Sequence, residues 1–160
     1  MKRGGNVKII TADINKCVGC HDCEHACAYH YTRTTCEEKW SNIQVNDYVE
    51  ERSVVPMTCF QCERAWCMEV CPTHALVRDE KTGAVVVKPE RCIGCKMCMR
   101  ACPFGNMHFD PVKKISRKCD LCGGDPRCVE HCVAGALQYE EVEELAAAKR
   151  RKVDSTLQGL

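Results

Sequence analysis

Apolar residues in this chain come in short runs broken by cysteines, and few runs are long enough to make an extended element. Ala75-Leu76-Val77 and Val85-Val86-Val87 flank the turn-forming stretch Asp79-Glu80-Lys81-Thr82-Gly83, a pattern that predicts a β-hairpin. Val7 to Thr11 and Ala136 to Tyr139 offer a second pair of strands, far apart in sequence. Beyond them Glu140, Glu141, Glu143 and Glu144 precede Lys149-Arg150-Arg151-Lys152. Acids first and bases last suit the dipole of a solvated helix. The longest apolar stretches are of the Ala84-Val85-Val86-Val87 kind, too short to cross a bilayer, so no direct membrane insertion is expected.

Composition changes this picture. Three Phe, two Trp and four Tyr in 160 residues make a thin core, and the 45% apolar share is inflated by 17 Cys. A domain with so little to bury is marginal unless something else holds it together. Cysteine at this density marks a secreted disulfide scaffold or a metal protein. Met1-Lys2-Arg3-Gly4-Gly5-Asn6-Val7, with polar Thr11, Asp13 and Asn15 after it, contains neither a signal-peptide core nor a twin-arginine pair. A cytoplasmic location is therefore expected, where an odd number of thiols reads as metal ligation. A formal net charge of +1 leaves no footprint for nucleic acid.

All but one of the cysteines fall into four quartets: Cys17, Cys20, Cys23, Cys27; Cys59, Cys62, Cys67, Cys71; Cys92, Cys95, Cys98, Cys102; and Cys119, Cys122, Cys128, Cys132. The first and third are C-x2-C-x2-C-x3-C. The second is C-x2-C-x4-C-x3-C and the fourth C-x2-C-x5-C-x3-C, so two types alternate. Neighbouring residues repeat with them: Asn15-Lys16-Cys17-Val18-Gly19-Cys20 matches Glu90-Arg91-Cys92-Ile93-Gly94-Cys95, and Cys71…Ala75-Leu76 matches Cys132…Ala136-Leu137. This is a duplicated module. Each copy has the make-up of a two-cluster bacterial ferredoxin, whose run C-x2-C-x2-C-x3-C-P is matched in full from Cys92 to Pro103.

Three thiolates at such spacing let a tight loop wrap one [4Fe-4S] cube, with Gly19 and Gly94 easing the turn through positive φ. The fourth cysteine is expected to open a short helix and to serve a second cube. Pro72 and Pro103 follow two of the runs; Ala28 and Val133 stand at the same point of the others. Spacing leaves the partnering open: the first quartet can pair with the fourth around an inserted inner module, or the third with the fourth. Zinc is the competing metal, but zinc ribbons place two C-x2-C pairs far apart and have no use for the third and fourth cysteines of these runs.

With these motifs the chain resembles the four-cluster iron-sulfur subunits of molybdenum and tungsten oxidoreductases, such as those of dimethyl sulfoxide reductase, polysulfide reductase and formate dehydrogenase. The resemblance runs from about Asp13 to Tyr139 and is most specific at Pro56 to Glu63, Cys92 to Pro103 and Lys118 to Cys128. It implies an α+β fold of two ferredoxin-like modules, the inner inserted into the outer, with short hairpins and helices around four [4Fe-4S] clusters and a C-terminal helix. The outer module would take residues 1–58 and 103–139, with 28–58 as an insertion; the inner one 59–102; the C-terminal helix and tail 140–160. It also implies the ligand sets: Cys17, Cys20, Cys23 with Cys132; Cys119, Cys122, Cys128 with Cys27; Cys59, Cys62, Cys67 with Cys102; and Cys92, Cys95, Cys98 with Cys71. The small size and the Gly-Gly-Asp-Pro insertion at 123–126 look most like subunits that accompany tungsten aldehyde oxidoreductase-type enzymes of anaerobic metabolism. The implied partners are a catalytic subunit holding a molybdenum- or tungsten-pterin and a flavoprotein linked to a nicotinamide.

Cubes with four thiolates leave no iron open to substrate, so electron transfer without catalysis is the expected role. A freely diffusing polyferredoxin would use the same ligands. Residues 28–58, with Tyr29, Tyr31, Trp40 and Tyr48, and residues 140–160 exceed what cluster binding needs, which favours a docked subunit; joining end to end with a second copy is a further expectation. Lys16, Lys96, Arg100, Lys118 and Arg127 lie within or beside the runs, either as surface charges or as groups favouring the reduced state. Cys36 is expected to be a partly buried free thiol. His21, His25 and His131 are expected to hydrogen-bond rather than ligate, and Trp66 to shield a cluster.

Overall fold

The computed structural model describes residues 7–158. Residues 1–6, on which the expected lack of a signal peptide rests, and the last two residues lie outside the described residues. Strand β1 (Lys8–Ala12) leads into the first cysteine run and α1 (Asp22–Thr32), followed by the hairpin β2 (Gln44–Tyr48) and β3 (Ser53–Met57). The second run carries α2 (Trp66–Glu69) and passes into the hairpin β4 (Leu76–Arg78) and β5 (Val85–Val87). The third run carries α3 (Met97–Ala101), then β6 (His108–Asp110) and β7 (Ile115–Arg117). The fourth carries α4 (Arg127–Glu130), then β8 (Leu137–Glu141) and α5 (Val142–Gln158). Among the described residues the strands form four separate two-stranded antiparallel pairs: β1 with β8, β2 with β3, β4 with β5 and β6 with β7.

The duplication is visible bond by bond. Ala12 lies opposite Leu137, and Val87 opposite Leu76. Just outside each pair the Asp13 N–H donates to Ala136 O at 2.8 Å, and the Lys88 N–H to Ala75 O at 2.7 Å. His74 and Gly135, three residues after Cys71 and Cys132, both have positive φ, 51° and 60°. Their amides reach back to the carbonyls of those cysteines. The pair β1–β8 is thus the counterpart of the hairpin β4–β5, as the sequence pattern predicts, with the chain cut open where β4–β5 has its turn.

The helices depart from expectation. Each of α1 to α4 begins one residue before the third cysteine of its run, at Asp22, Trp66, Met97 and Arg127, so it is the third cysteine that opens the helix. The fourth follows one helical turn later, because x3 spacing is about 3.6 residues on the same side. Cys71, Cys102 and Cys132 stand just past their helix ends, and Pro72 and Pro103, lacking an N–H, keep two of those helices from continuing. Ala28 imposes no such stop, and α1 runs on to Thr32.

Segment 28–58 is not a free flap. The Arg117 guanidinium at the end of β7 donates to the carbonyls of Lys39, Trp40 (3.0 Å) and Ser41 (2.8 Å) and to Asn42 Oδ1 (2.7 Å). Tyr31 O–H reaches Asp110 at 2.8 Å. Two apolar clusters form the core. One gathers Ile10, Ile43, Ala84, Leu121 and Leu137 with Cys23 and Cys128; the other Ala65, Ala75, Leu76, Val85 and Met107 with Cys71 and Cys98. Helix α1 packs on α4, α2 on α3, and α5 on β8. No helix among the described residues is long and apolar enough to cross a membrane.

Candidate iron-sulfur centres

In all four runs the residue before the second cysteine lies in the left-handed region: Gly19 at φ 67°, Gln61 at 47°, Gly94 at 68° and Leu121 at 59°. The conformation turns each loop so that its first two thiols face one centre. Glycine takes it freely; Gln61 and Leu121 take it at a cost of about 1 kcal/mol each. Both are completely buried, so tertiary packing offsets that strain.

Thiols from different runs meet around common spaces. Cys17, Cys20, Cys23 and Cys132 line one cavity. Cys27, Cys119, Cys122 and Cys128 line a second of about 140 Å³. Cys59, Cys62, Cys67 and Cys102 line a third. Cys71, Cys92 and Cys98 pack in one apolar cluster, which also takes in Cys67 and Cys102. Neighbouring groups lie close enough to interact: Lys118 lines both the Cys119 and the Cys59 cavities. Of these sixteen thiols Cys20 and Cys95, at equivalent places in the first and third runs, are exposed.

Burial is the main cause of the thiol shifts. It pushes Cys23 and Cys119 up to about 12, Cys67 and Cys122 to about 11, and Cys128 higher; Cys62 and Cys98 also rise. Cys71 moves down: burial opposes, but the Ala75 N–H at 3.2 Å, the Thr73 hydroxyl and the Leu76 N–H outweigh it. Backbone N–H groups also point at Cys27 from Asn42 (3.3 Å), at Cys92 from Ser116 (3.4 Å) and at Cys132 from Leu137 (3.4 Å). Such donors favour thiolate and tune a metal cluster's sulfurs.

The cavities also contain positive charge in want of a counter-ion. Lys118 is 5% exposed, lines both the Cys119 and the Cys59 cavities, and donates to neutral acceptors: Gln61 Oε1 at 3.0 Å, Cys119 O at 2.9 Å and Val85 O. Among the described residues no carboxylate pairs with it. A buried ammonium of this kind is stable only beside an anion. A thiolate-ligated iron-sulfur cluster is anionic, so donor set, N–H groups and buried charge all fit one.

Lys16, Lys96 and Arg100 are exposed, and Arg127 is paired with Asp125 (3.0 Å) and Glu130 (2.6 Å). Only Lys118 of the five flanking cations is buried. Trp66, 45% exposed, lines the Cys59 cavity under Arg64, whose guanidinium lies 4.4 Å from its ring centre. Phe60 and Phe104, not singled out by the sequence, close the same cavity edge to face at 4.8 Å. His21 bonds Glu24 at 2.5 Å, His131 Nδ1 meets Arg127 O at 2.9 Å, and His25 is exposed. Cys36 is exposed rather than partly buried, because its loop leaves the core between α1 and the turn at Glu38–Trp40.

Comparison with known proteins points to iron-sulfur clusters of the 4Fe-4S kind. Residues 51–142 match the family described as "4Fe-4S dicluster domain", and residues 14–30 a "4Fe-4S binding domain". The chain is 41% identical to the putative electron transport protein YsaA of Escherichia coli over 91% of its length and 97% of the relative's. It is 46% identical to the polyferredoxin-like subunit of aliphatic sulfonate oxidoreductase of Pyrococcus furiosus, over 78% of its length and 69% of that protein's. Among solved structures, a chain of the active site complex BamBC of benzoyl coenzyme A reductase with 1,5-dienoyl-CoA superposes at a TM-score of 0.52, with 26% identity, over 86% of this chain and 78% of that one. The chain belongs to the 4Fe-4S dicluster-domain family of ferredoxin-like electron-transfer proteins.

Proposed function

We propose that this chain is the electron-relay subunit of an oxidoreductase complex, holding four [4Fe-4S] clusters. The observation that carries the reading is the meeting of thiols from different runs around three shared cavities, four thiols to each; a row of groups with the exposed Cys20 and Cys95 at its ends is part of the proposal. The ligand sets are Cys17, Cys20, Cys23 and Cys132; Cys27, Cys119, Cys122 and Cys128; Cys59, Cys62, Cys67 and Cys102; and Cys71, Cys92, Cys95 and Cys98. The first two belong to a discontinuous outer module, residues 1–58 and 103–139, and the last two to an inner module, 59–102. The pairing of β1 with β8 and the packing of α1 on α4 and α2 on α3 support that division.

When bound, such clusters take up and release single electrons. The chain's own residues fix sixteen thiols, aim backbone N–H groups at four or more of them, and exclude water through Trp66, Phe60 and Phe104 on one side and segment 39–43 on the other. Val18 and Ile93, 69% and 67% exposed beside Cys20 and Cys95, give each end an apolar rim suited to a protein partner. One end serves a catalytic subunit with a tungsten- or molybdenum-pterin, of the tungsten aldehyde oxidoreductase type; the other serves a further redox partner such as a nicotinamide-linked flavoprotein. The naming of one relative as a subunit of a sulfonate oxidoreductase, and the likeness to a chain of a benzoyl-CoA reductase complex, support a catalytic partner. The location proposed is the cytoplasm.

The test is anaerobic purification of the native complex, identification of co-purifying chains by mass spectrometry, and assay of iron, sulfide, tungsten and molybdenum. A catalytic chain with tungsten, beside about sixteen irons and sixteen sulfides per copy of this chain, is expected. Isolation always alone would favour a diffusing carrier, and zinc without sulfide would overturn the cluster reading.

A further inference from the structure

The duplication supplies an internal control at the centre of the molecule. Lys118 immediately precedes Cys119; the equivalent residue before Cys59 is Thr58. Gln61 precedes Cys62; the equivalent residue before Cys122 is Leu121. One run therefore provides a buried cation and the other a buried amide, and these two unmatched residues face each other. Lys118 Nζ donates to Gln61 Oε1 at 3.0 Å. The same oxygen accepts the Val85 N–H at 2.9 Å, and Gln61 Nε2 donates to Cys119 O at 2.9 Å. Gln61 is completely buried and fixed at both ends of its amide, so the ammonium has one place to be.

That place is shared. Lys118 lines the cavity of Cys27, Cys119, Cys122 and Cys128 and also that of Cys59, Cys62, Cys67 and Cys102. At the outer two groups the nearby cations Lys16, Lys96 and Arg100 are exposed and screened by water. A fixed positive charge at short range in a dry interior favours whichever state of a neighbouring group is more anionic, which for an iron-sulfur cluster is the reduced one.

We propose that Lys118 is a positioning residue for charge, held by Gln61, that raises the reduction potentials of the two central clusters together and leaves the two outer ones unaffected. The proposal rests on the four-cluster reading given above. It makes the middle of the relay the place where reducing equivalents settle, so that both ends exchange electrons with a common store.

The experiment is an anaerobic redox titration of the intact protein followed by electron paramagnetic resonance, with iron and sulfide counted in every sample. Lys118→Met is expected to lower two of the four potentials, each by a tenfold or larger change in the one-electron equilibrium, about 59 mV per tenfold, while the other two stay in place. Lys118→Arg is expected to keep the central pair near their original values, and Lys96→Gln to move nothing. Should Lys118→Met assemble poorly, Gln61→Leu, which copies Leu121 of the sister run, carries the test: a smaller downward shift of the same two potentials supports the proposal. Full iron content with unmoved potentials, or four potentials shifting together, overturns it while leaving the four-cluster reading intact. Wild-type protein with far fewer irons overturns both.

Discussion

Gly94 lies so close to the carbonyl of Lys114 that a Cβ on it would stand 2.4 Å from that oxygen. Gly19, its counterpart in the first run, has nearly the same φ but only the methyls of Val54 at 3.5 Å or beyond and Asp47 at 3.7 Å. Both alanine variants bear the left-handed penalty of about 1 kcal/mol. Gly94→Ala also collides with backbone, adding about 1–3 kcal/mol. Denaturant unfolding under anaerobic conditions should therefore rank Gly94→Ala well below Gly19→Ala, and equal losses would contradict the geometry.

Arg117 is the clasp of segment 39–42, whose last residue turns its N–H toward Cys27. Arg117→Met leaves several buried acceptors without a donor and should cost about 3 kcal/mol. Hydrogen exchange is the discriminating measurement: protection should fall at residues 39–43 and stay unchanged in the β4–β5 hairpin.

His108 gives the fold an acid limit. Burial first, and then the positive charge of Arg117, hold its pKa down to about 4 from the ordinary 6.5. The unfolded chain binds the proton below about pH 6.5 while the folded one refuses it until about 4. The neutral side chain's contribution is thus complete above 6.5 and is lost progressively as pH falls through that window, at no more than about 1.4 kcal/mol per unit. The stability difference between the wild type and His108→Phe should narrow or reverse in favour of the variant from pH 6.5 down to 4. A difference independent of pH would exclude the buried neutral imidazole.

Cys20 and Cys36 are both exposed, yet only Cys20 belongs to a group of four. Cys36→Ser should leave iron and sulfide content and the paramagnetic spectrum unchanged. Cys20→Ser should lower the iron by up to about one cluster's worth or alter one spectrum of the four. Iron loss in the Cys36 variant would overturn its reading as an exposed free thiol outside the four groups.

Strong periodic or punctuated signals were legible in the sequence. Val85-Val86-Val87 and the Asp79–Gly83 turn announced β4–β5, the matching Ala136-Leu137 pointed to β8, and the acid-to-base order after Glu140 announced α5. Strands β2 and β6–β7 were not announced. Gln44-Val45-Asn46-Asp47-Tyr48 is polar on both sides, and His108–Asp110 and Ile115–Arg117 are too short for alternation to register. Long-range bonds hold them: Glu24 accepts the Val45 N–H of β2, and Tyr31 bonds Asp110 of β6 while Arg117 of β7 clasps segment 39–42. At the candidate site, cysteine spacing named the thiols but not their surroundings. Lys118 looked no different from Lys16 or Lys96, since burial of a lysine depends on what folds over it. The left-handed turn at Gln61 lacked the glycine that revealed those at Gly19 and Gly94.

The union of β1 with β8 has a bearing on how the molecule is made. Ala12 emerges from the ribosome 125 residues before its partner Leu137. At roughly 5–20 residues per second the first strand waits about 6–25 s for a mate. Through that interval the opening cysteine run exists without Cys132, the fourth thiol that lines its cavity. The β4–β5 hairpin and the cysteine runs on either side of it, by contrast, are whole before Leu137 is made. Maturation is accordingly expected to proceed from the β4–β5 region outward, with the pairing of β1 and β8 among its last steps.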